Sequence, residues 1–182
     1  EEKVKGAYVM GENPAMSDPD QTHTREALSR LKHLVVQDIF MTETAAYADV
    51  ILPASAFPEK DGTFTNTDRR VQMGRKAINP PGQAQQDWWI IQEIANRMGL
   101  NWKYSDPSDV FSEMQQMMPS LTGITWQRLL RESAVTYPCA DENSIGESII
   151  FSDGYPTPSG RGKLVPCDIL PPDEQPDTDF PL

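Results

Sequence analysis

Cysteine and histidine are scarce in this sequence, and basic residues are outnumbered. The 182 residues hold two cysteines, Cys139 and Cys167, and two histidines, His23 and His33. Two cysteines build no disulfide framework, and neither stands at a zinc-ligand spacing, so both read as reduced thiols. The histidines flank one expected helix; at 1.5 Å per residue they stand ~15 Å apart, too far to share a metal. The signatures GxSxG, HExxH, GxGxxG and the phosphate-loop lysine motif are all missing, which removes the commonest routes to catalysis by the chain's own side chains.

Lys and Arg number 16 against 27 Asp and Glu, a net charge of −11. The one basic cluster is Arg69, Arg70, Arg75 and Lys76. No basic stripe is present, so neither nucleic acid nor a membrane surface is expected as a partner. No stretch approaches the ~20 apolar residues that span a bilayer. No secretory or transit segment is seen, and a cytoplasmic location is expected. The chain opens on "EEKVKGAYVMG", almost directly on an apolar strand, and so reads as a piece excised from something longer.

Proline is plentiful, with 16 residues concentrated after Ser105. Pro171–Leu182 holds four prolines and four acids with no base, the composition of a linker. Ahead of it, apolar runs alternate with helical patterns. "GAYVM" is a strand, "GENPAMSDPDQT" is turn chemistry, and "TREALSRLKH" is a helix capped by Thr22 or Thr24. "LVV" is a second strand closed by Gln37 and Asp38, "TETAAYA" a short helix capped by Thr42 or Thr44, and "DVILP" a third strand. Strand, helix, strand, short helix, strand predicts a parallel sheet, with continuous apolar strands expected where helices cover both faces. "DWWIIQEIANRMG" predicts a helix capped by Asp87, burying Ile91, Ile94, Ala95 and Met98, and stopped by Gly99. "DPSDVFSEMQQMMP" predicts another, capped by Asp106 with Pro107 first, facing Val110, Phe111, Met114 and Met117 inward. "TWQRLLRES" is a third helix, and "TPSGRGKLVPC" a hairpin around Ser159-Gly160.

Right-handed crossovers bring the strand carboxyl ends to one edge, where open α/β sheets bind ligands. Gly11 there lets a ligand approach the backbone. Asn13 offers a donor and an acceptor. Asp38 could take ribose hydroxyls or the two N–H groups of a guanine edge. Lys60 is a point charge suited to phosphate. Asp87 is open to two readings, helix cap or ligand contact.

The stretches "GAYVMGENPAMSDPD", "VVQDIFMTETAAYADVILPASAFPEKDGTFTNTDRRVQ", "QQDWWIIQEIANRMG" and "TPSGRGKLVPC" together resemble a molybdopterin oxidoreductase of the dimethyl sulfoxide reductase type. The wording is most similar to the catalytic alpha subunit of a formate dehydrogenase of the NAD-dependent, cytoplasmic kind. The resemblance implies a fragment that holds one guanosine end of bis-molybdopterin guanine dinucleotide, with Gly11, Asn13, Gln37, Asp38, Lys60 and Asp87 as cofactor-binding residues. It implies no catalytic residue and no metal ligand within these residues. It also implies molybdenum, a 4Fe-4S cluster in a region upstream, NAD reached through iron–sulfur and flavin subunits, and formate as substrate. Asn66, Arg69 and Arg70 are read as support for their loop.

The expected fold class is α/β: a partial Rossmann-like parallel sheet with flanking helices, then a helical segment, a C-terminal hairpin and a linker. The expected boundaries are 1–104 for the dinucleotide-binding subdomain, 105–170 for its helical and hairpin extension, and 171–182 for the linker to a β-barrel. Two other readings stand beside this one: the homologous segment of a nitrate reductase, and a stand-alone module that binds a nucleotide or a partner subunit.

Overall fold

Three short apolar runs pair side by side in chain order. β1 (Gly6–Met10), β2 (His33–Asp38) and β3 (Val50–Pro53) form a parallel sheet of order β1-β2-β3. Its register sets Met10 beside Gln37 and Gln37 beside Leu52, with Asp38 beside Pro53. The structure, a computed structural model, describes residues 3–172 and 175–181. Asp173, Glu174 and Leu182, in the expected linker, lie outside the described residues.

Leu34 and Val36 of β2 are buried against Ala45, with Ala7, Val9, Leu28, Leu31 and Ala48 packed around them. Each large apolar side chain contributes ~1.5–3 kcal/mol when fully removed from water. Leu28 and Leu31 belong to the first crossover, Ala45 and Ala48 to the second, so both cover the same face. Strand order 1-2-3 with right-handed connections requires this. The two crossovers therefore cover one face, and of the helical elements the one that opens at Asp87 reaches the other face through that residue, which bonds Gln37. Tyr8, Met10 and Val50, on the other face, remain 43%, 46% and 41% exposed.

The first crossover carries α1 (Pro14–Ser17) and α2 (Gln21–Ser29). The single turn α1 was expected to be irregular; Pro14 presets its first residue, and Asp18, extended before Pro19, ends it. Asp20, not Thr22 or Thr24, caps α2 by accepting from the His23 amide at 3.0 Å. The helix therefore starts earlier than expected, and His33 is the first residue of β2. The second crossover holds one 3-10 turn, Ala45–Tyr47, following Thr44.

α3 (Asp87–Arg97) follows the sheet. Gly99, at φ +94°, lets the Leu100 amide return to the Ala95 carbonyl at 3.0 Å, which closes the helix as expected. Its buried residues are Ile90, Gln92 and Ala95, whereas Met98 is exposed. The expected stripe is shifted because Gln92 faces inward to bond both main-chain groups of Tyr104, at 2.7 and 3.1 Å.

A second, antiparallel sheet was not anticipated. β4 (Gly62–Thr65) pairs with β5 (Arg70–Gly74), and β5 with β6 (Ala134–Thr136). It packs with α4 (Pro107–Met117) and α5 (Trp126–Glu132) around Val71, Phe111, Leu121, Ile124, Leu129, Val135 and Cys139. Asp106 caps α4 as expected, but Met117 is exposed. Gln115 takes the inward place instead, donating to the carbonyls of Leu121 and Thr122.

These elements belong to a first unit, residues 1–148; residues 149–182 form a second. In the second unit a turn joins Thr157 and Gly160 at 2.9 Å. No strands flank it among the described residues, so the expected hairpin is a turn alone. Among the described residues no helix is long and apolar enough to cross a membrane.

Candidate functional site

The parallel register puts Met10, Asp38 and Pro53 at the carboxyl ends of their strands, on one edge of the sheet. Polar residues gather along that edge.

Gln37 is at its centre. Its side chain is fully buried. The Tyr8 hydroxyl donates to its Oε1, and its Nε2 donates to Asp87 Oδ1 at 2.7 Å. Asp87 Oδ2 accepts from the Lys60 ammonium. This ion pair is partly shielded, with side-chain exposures of 22% for Lys60 and 32% for Asp87. Burial, and then the negative charge of Asp87, push the Tyr8 phenol above the usual tyrosine range.

Asp87 is the first residue of α3 and makes no capping bond; Gln86 occupies the cap position. Between the two readings of Asp87, the cap is thus removed. Its carboxylate still gains from the helix dipole and turns to Gln37 and Lys60. Lys60 follows a 3-10 turn, Phe57–Glu59, held by the Glu59 carboxylate on the Ala56 amide at 2.9 Å.

Asn13 belongs to a separate bracket. Its Oδ1 accepts from the amide and the hydroxyl of Thr44, at 3.1 and 2.8 Å. Its Nδ2 donates to Glu43 at 2.6 Å, and that bond holds the Glu43 carboxyl below its ordinary range. Thr44, fully buried, also accepts from the Ala15 amide at 3.1 Å. The loops after β1 and β2 are thereby pinned together. Asp38 accepts from the Phe40 amide at 3.1 Å through one oxygen.

Gly11 adopts φ +64°, a region that favours glycine. A Cβ there would meet nothing within 4 Å, so open space lies above the backbone. The Gly11 amide itself donates to the Gln37 carbonyl at 2.9 Å.

The structure thus brings Gln37, Lys60 and Asp87 together, sets Gly11 against Gln37, and leaves Asn13 and Asp38 on the same edge with partners of their own. Sequence reasoning missed Tyr8, Glu43, Thr44 and Ser55. The first could have been found from Gln37: an amide at the end of an apolar strand needs partners, and a tyrosine on the adjacent strand can supply one. Ser55 sits beyond β3, its amide donating to the Gln85 carbonyl at 2.8 Å. Its buried Oγ has no hydrogen-bond partner among the described residues. No group of three or more His, Cys, Asp or Glu that could hold a metal occurs among the described residues.

Arg69 lies outside this edge and braces its own loop. It adopts φ +66°, and its guanidinium donates to the carbonyls of Tyr137, Glu147 and Ser148 at 2.6, 2.9 and 2.8 Å.

Residues 1–97, over half of the chain, match the molybdopterin oxidoreductase family. Among curated proteins, the F420-dependent formate dehydrogenase subunit alpha of Methanocaldococcus jannaschii is 49% identical over 98% of this chain and 27% of its own length. F420-dependent formate dehydrogenase 1 subunit alpha of Methanococcus maripaludis is 42% identical over 100% of the chain and 27% of its own. Formate dehydrogenase H of Escherichia coli is 35% identical over 99% and 26%. The chain therefore spans about a quarter of the length of these relatives. Among solved structures, acetylene hydratase from Pelobacter acetylenicus shares the fold, with a TM-score of 0.62 and 24% identity over 86% of this chain and 21% of that one.

Proposed function

Since the chain belongs to the molybdopterin oxidoreductase family, we propose that it is the part of a formate dehydrogenase alpha subunit that grips one guanosine end of bis-molybdopterin guanine dinucleotide. The observation that carries this reading is the polar network on Gln37, buried at the carboxyl edge of a parallel sheet. The residues fit such a ligand. Asp38 keeps an oxygen outside its bond to Phe40, and a carboxylate is the acceptor that two adjacent guanine N–H groups require. Gly11 leaves space above the main chain, and the Ser55 hydroxyl is buried without a partner among the described residues, which a polar ligand would relieve. Lys60 and Asp87 form a pair of no net charge, suited to hydroxyls and base edges more than to a bare phosphate. Asn13 serves by fixing the loops on either side.

The cofactor, when bound, supplies the two-electron oxidation of formate to carbon dioxide at its molybdenum. The residues described here bind and orient its nucleotide end. The relatives' names support formate as substrate over nitrate, and a subunit assembly over a stand-alone module. Two of them bear F420 in their names, which weighs against the expected NAD as acceptor. The boundaries at 104 and 170, an iron–sulfur cluster elsewhere in the polypeptide, partner iron–sulfur and flavin subunits, and a cytoplasmic location remain parts of this proposal. By itself the 182-residue chain is expected to oxidise no formate and to retain no cofactor.

The test is Asp38→Asn in the full polypeptide, with molybdenum and guanine counted per folded molecule. The substitution turns one acceptor into a donor facing a guanine N–H. Losing a hydrogen bond to a charged group costs ~1.5–3 kcal/mol, about ten- to a hundredfold in retention. Normal content with normal melting would remove Asp38 from the site.

A further inference from the structure

We propose that Tyr8 is a positioning residue of this site: its hydroxyl fixes the Gln37 amide, which holds Asp87, which in turn holds the Lys60 ammonium. The inference rests on the cofactor reading for its purpose but not for its geometry.

Each link has only one workable polarity. A carboxylate accepts and cannot donate, so Asp87 must face the Gln37 NH2 group, as it does at 2.7 Å. That choice turns the Gln37 carbonyl oxygen away from Asp87 and towards β1. There it needs a donor, because the side chain is fully buried and an unmet buried acceptor is costly. Tyr8 is the donor. Its phenol must be protonated to serve, and the shielding that surrounds it favours the neutral form.

At the far end, Asp87 uses one oxygen on Gln37 and the other on Lys60. With the first oxygen held, the carboxylate cannot rotate about its own bond, and the ammonium is held at one place beyond the sheet edge. Lys60 has three donors and spends one on Asp87. The others are thereby aimed, and the chain from β1 to the loop after β3 sets where. Tyr8 needs no contact with the ligand for this.

Two measurements on the full polypeptide test it. The first needs no cofactor: the rate at which an amine-acylating reagent modifies Lys60, followed by mass spectrometry. Asp87→Asn frees the ammonium and raises the rate. Tyr8→Phe, which removes one oxygen and keeps the ring, is expected to raise it by about two- to tenfold, the range of one lost neutral hydrogen bond. An unchanged rate in Tyr8→Phe overturns the proposal whatever the cofactor does. The second is molybdenum and guanine per folded molecule in the wild type, Tyr8→Phe, Asp87→Asn and the double variant. Expected is a loss of about two- to tenfold in Tyr8→Phe, with the double variant no lower than Asp87→Asn alone. Losses that multiply would make Tyr8 act apart from Asp87 and overturn the relay, as would a lower melting temperature with unchanged content. A wild type without guanine would sink the cofactor reading instead, and the acylation rates would then still decide on Tyr8.

Discussion

Gln37 and Arg128 are both buried polar side chains, 0% and 4% exposed, in two different parts of the first unit, and they spend their bonding capacity differently. Arg128 donates to the carbonyls of Gly123 at 2.9 Å and Ser144 at 2.7 Å, and to Glu132 at 2.9 Å. Its partners are mostly main chain, and they tie α5 to the segment behind it. Gln37 bonds to side chains from other elements, and those side chains keep unused donors and acceptors at a sheet edge. A saturated polar group braces a core. One whose partners still have capacity at a surface is placed to meet something from outside.

Four experiments can break or sharpen that contrast. The largest effect is expected for Arg128→Met, which strands several carbonyls and an acid. It should cost ~3–5 kcal/mol in a urea unfolding experiment while molybdenum per folded molecule stays normal. A fall in metal content without a fall in stability would reverse the roles assigned to the two regions. Next is Thr44→Val, which keeps the shape but loses the hydroxyl that joins Asn13 to Ala15. We expect a loss of ~1–3 kcal/mol together with reduced cofactor content, since the bracket belongs to the edge. Asp106→Ala should cost ~1 kcal/mol, the usual value of a helix cap, with no effect on cofactor.

The smallest effects are those of pH, and they have opposite signs in the two regions. Bonds from Ser108 hold the Asp106 carboxyl below its ordinary range. Its contribution is therefore full above the ordinary Asp value of ~3.9 and is lost as pH falls through the lowered one. Tyr8 is raised, so its contribution is full below the ordinary tyrosine value of ~10 and fades as pH rises through the raised one. Comparing wild type with Asp106→Ala in acid and with Tyr8→Phe in alkali by melting temperature should show each slope vanish in its own variant. An alkaline slope that survives in Tyr8→Phe would assign it to another group.

The parallel half of the fold was legible because its signals are local. Apolar runs ended by turn residues marked β1, β2 and β3; outside that half, Asp106 followed by Pro107 is a local signal too and marked the start of α4. The antiparallel sheet was not, for a specific reason. The Asn66–Arg69 turn puts an arginine, not glycine or asparagine, in the left-handed position, so the usual hairpin signature is missing. Three carbonyls on the Arg69 guanidinium offset that strain from positions 68 to 79 residues away, beyond any local pattern. The candidate site divides in the same way. Strand ends named Gly11, Asn13, Gln37 and Asp38, but the partnership of Gln37 with Asp87 spans 50 residues, and Tyr8 reads as one more apolar residue of a strand. The Met-bearing faces of α3 and α4 misled because Gln92 and Gln115 are drawn inward by main-chain groups that periodicity does not reveal.

The two crossovers on one side of the parallel sheet have a practical consequence. On the face the crossovers leave open, Met10, Val50 and the ring of Tyr8 stay partly exposed. Tyr8 and Met10 belong to an edge strand, β1, whose outer main-chain groups pair with no further strand among the described residues. Handled as these 182 residues alone, the polypeptide should be colloidally poor in spite of its net charge of −11. Its light scattering should rise with concentration, and a hydrophobic fluorescent dye should brighten on it. A lysine at Met10 is the simplest remedy for anyone preparing samples of it.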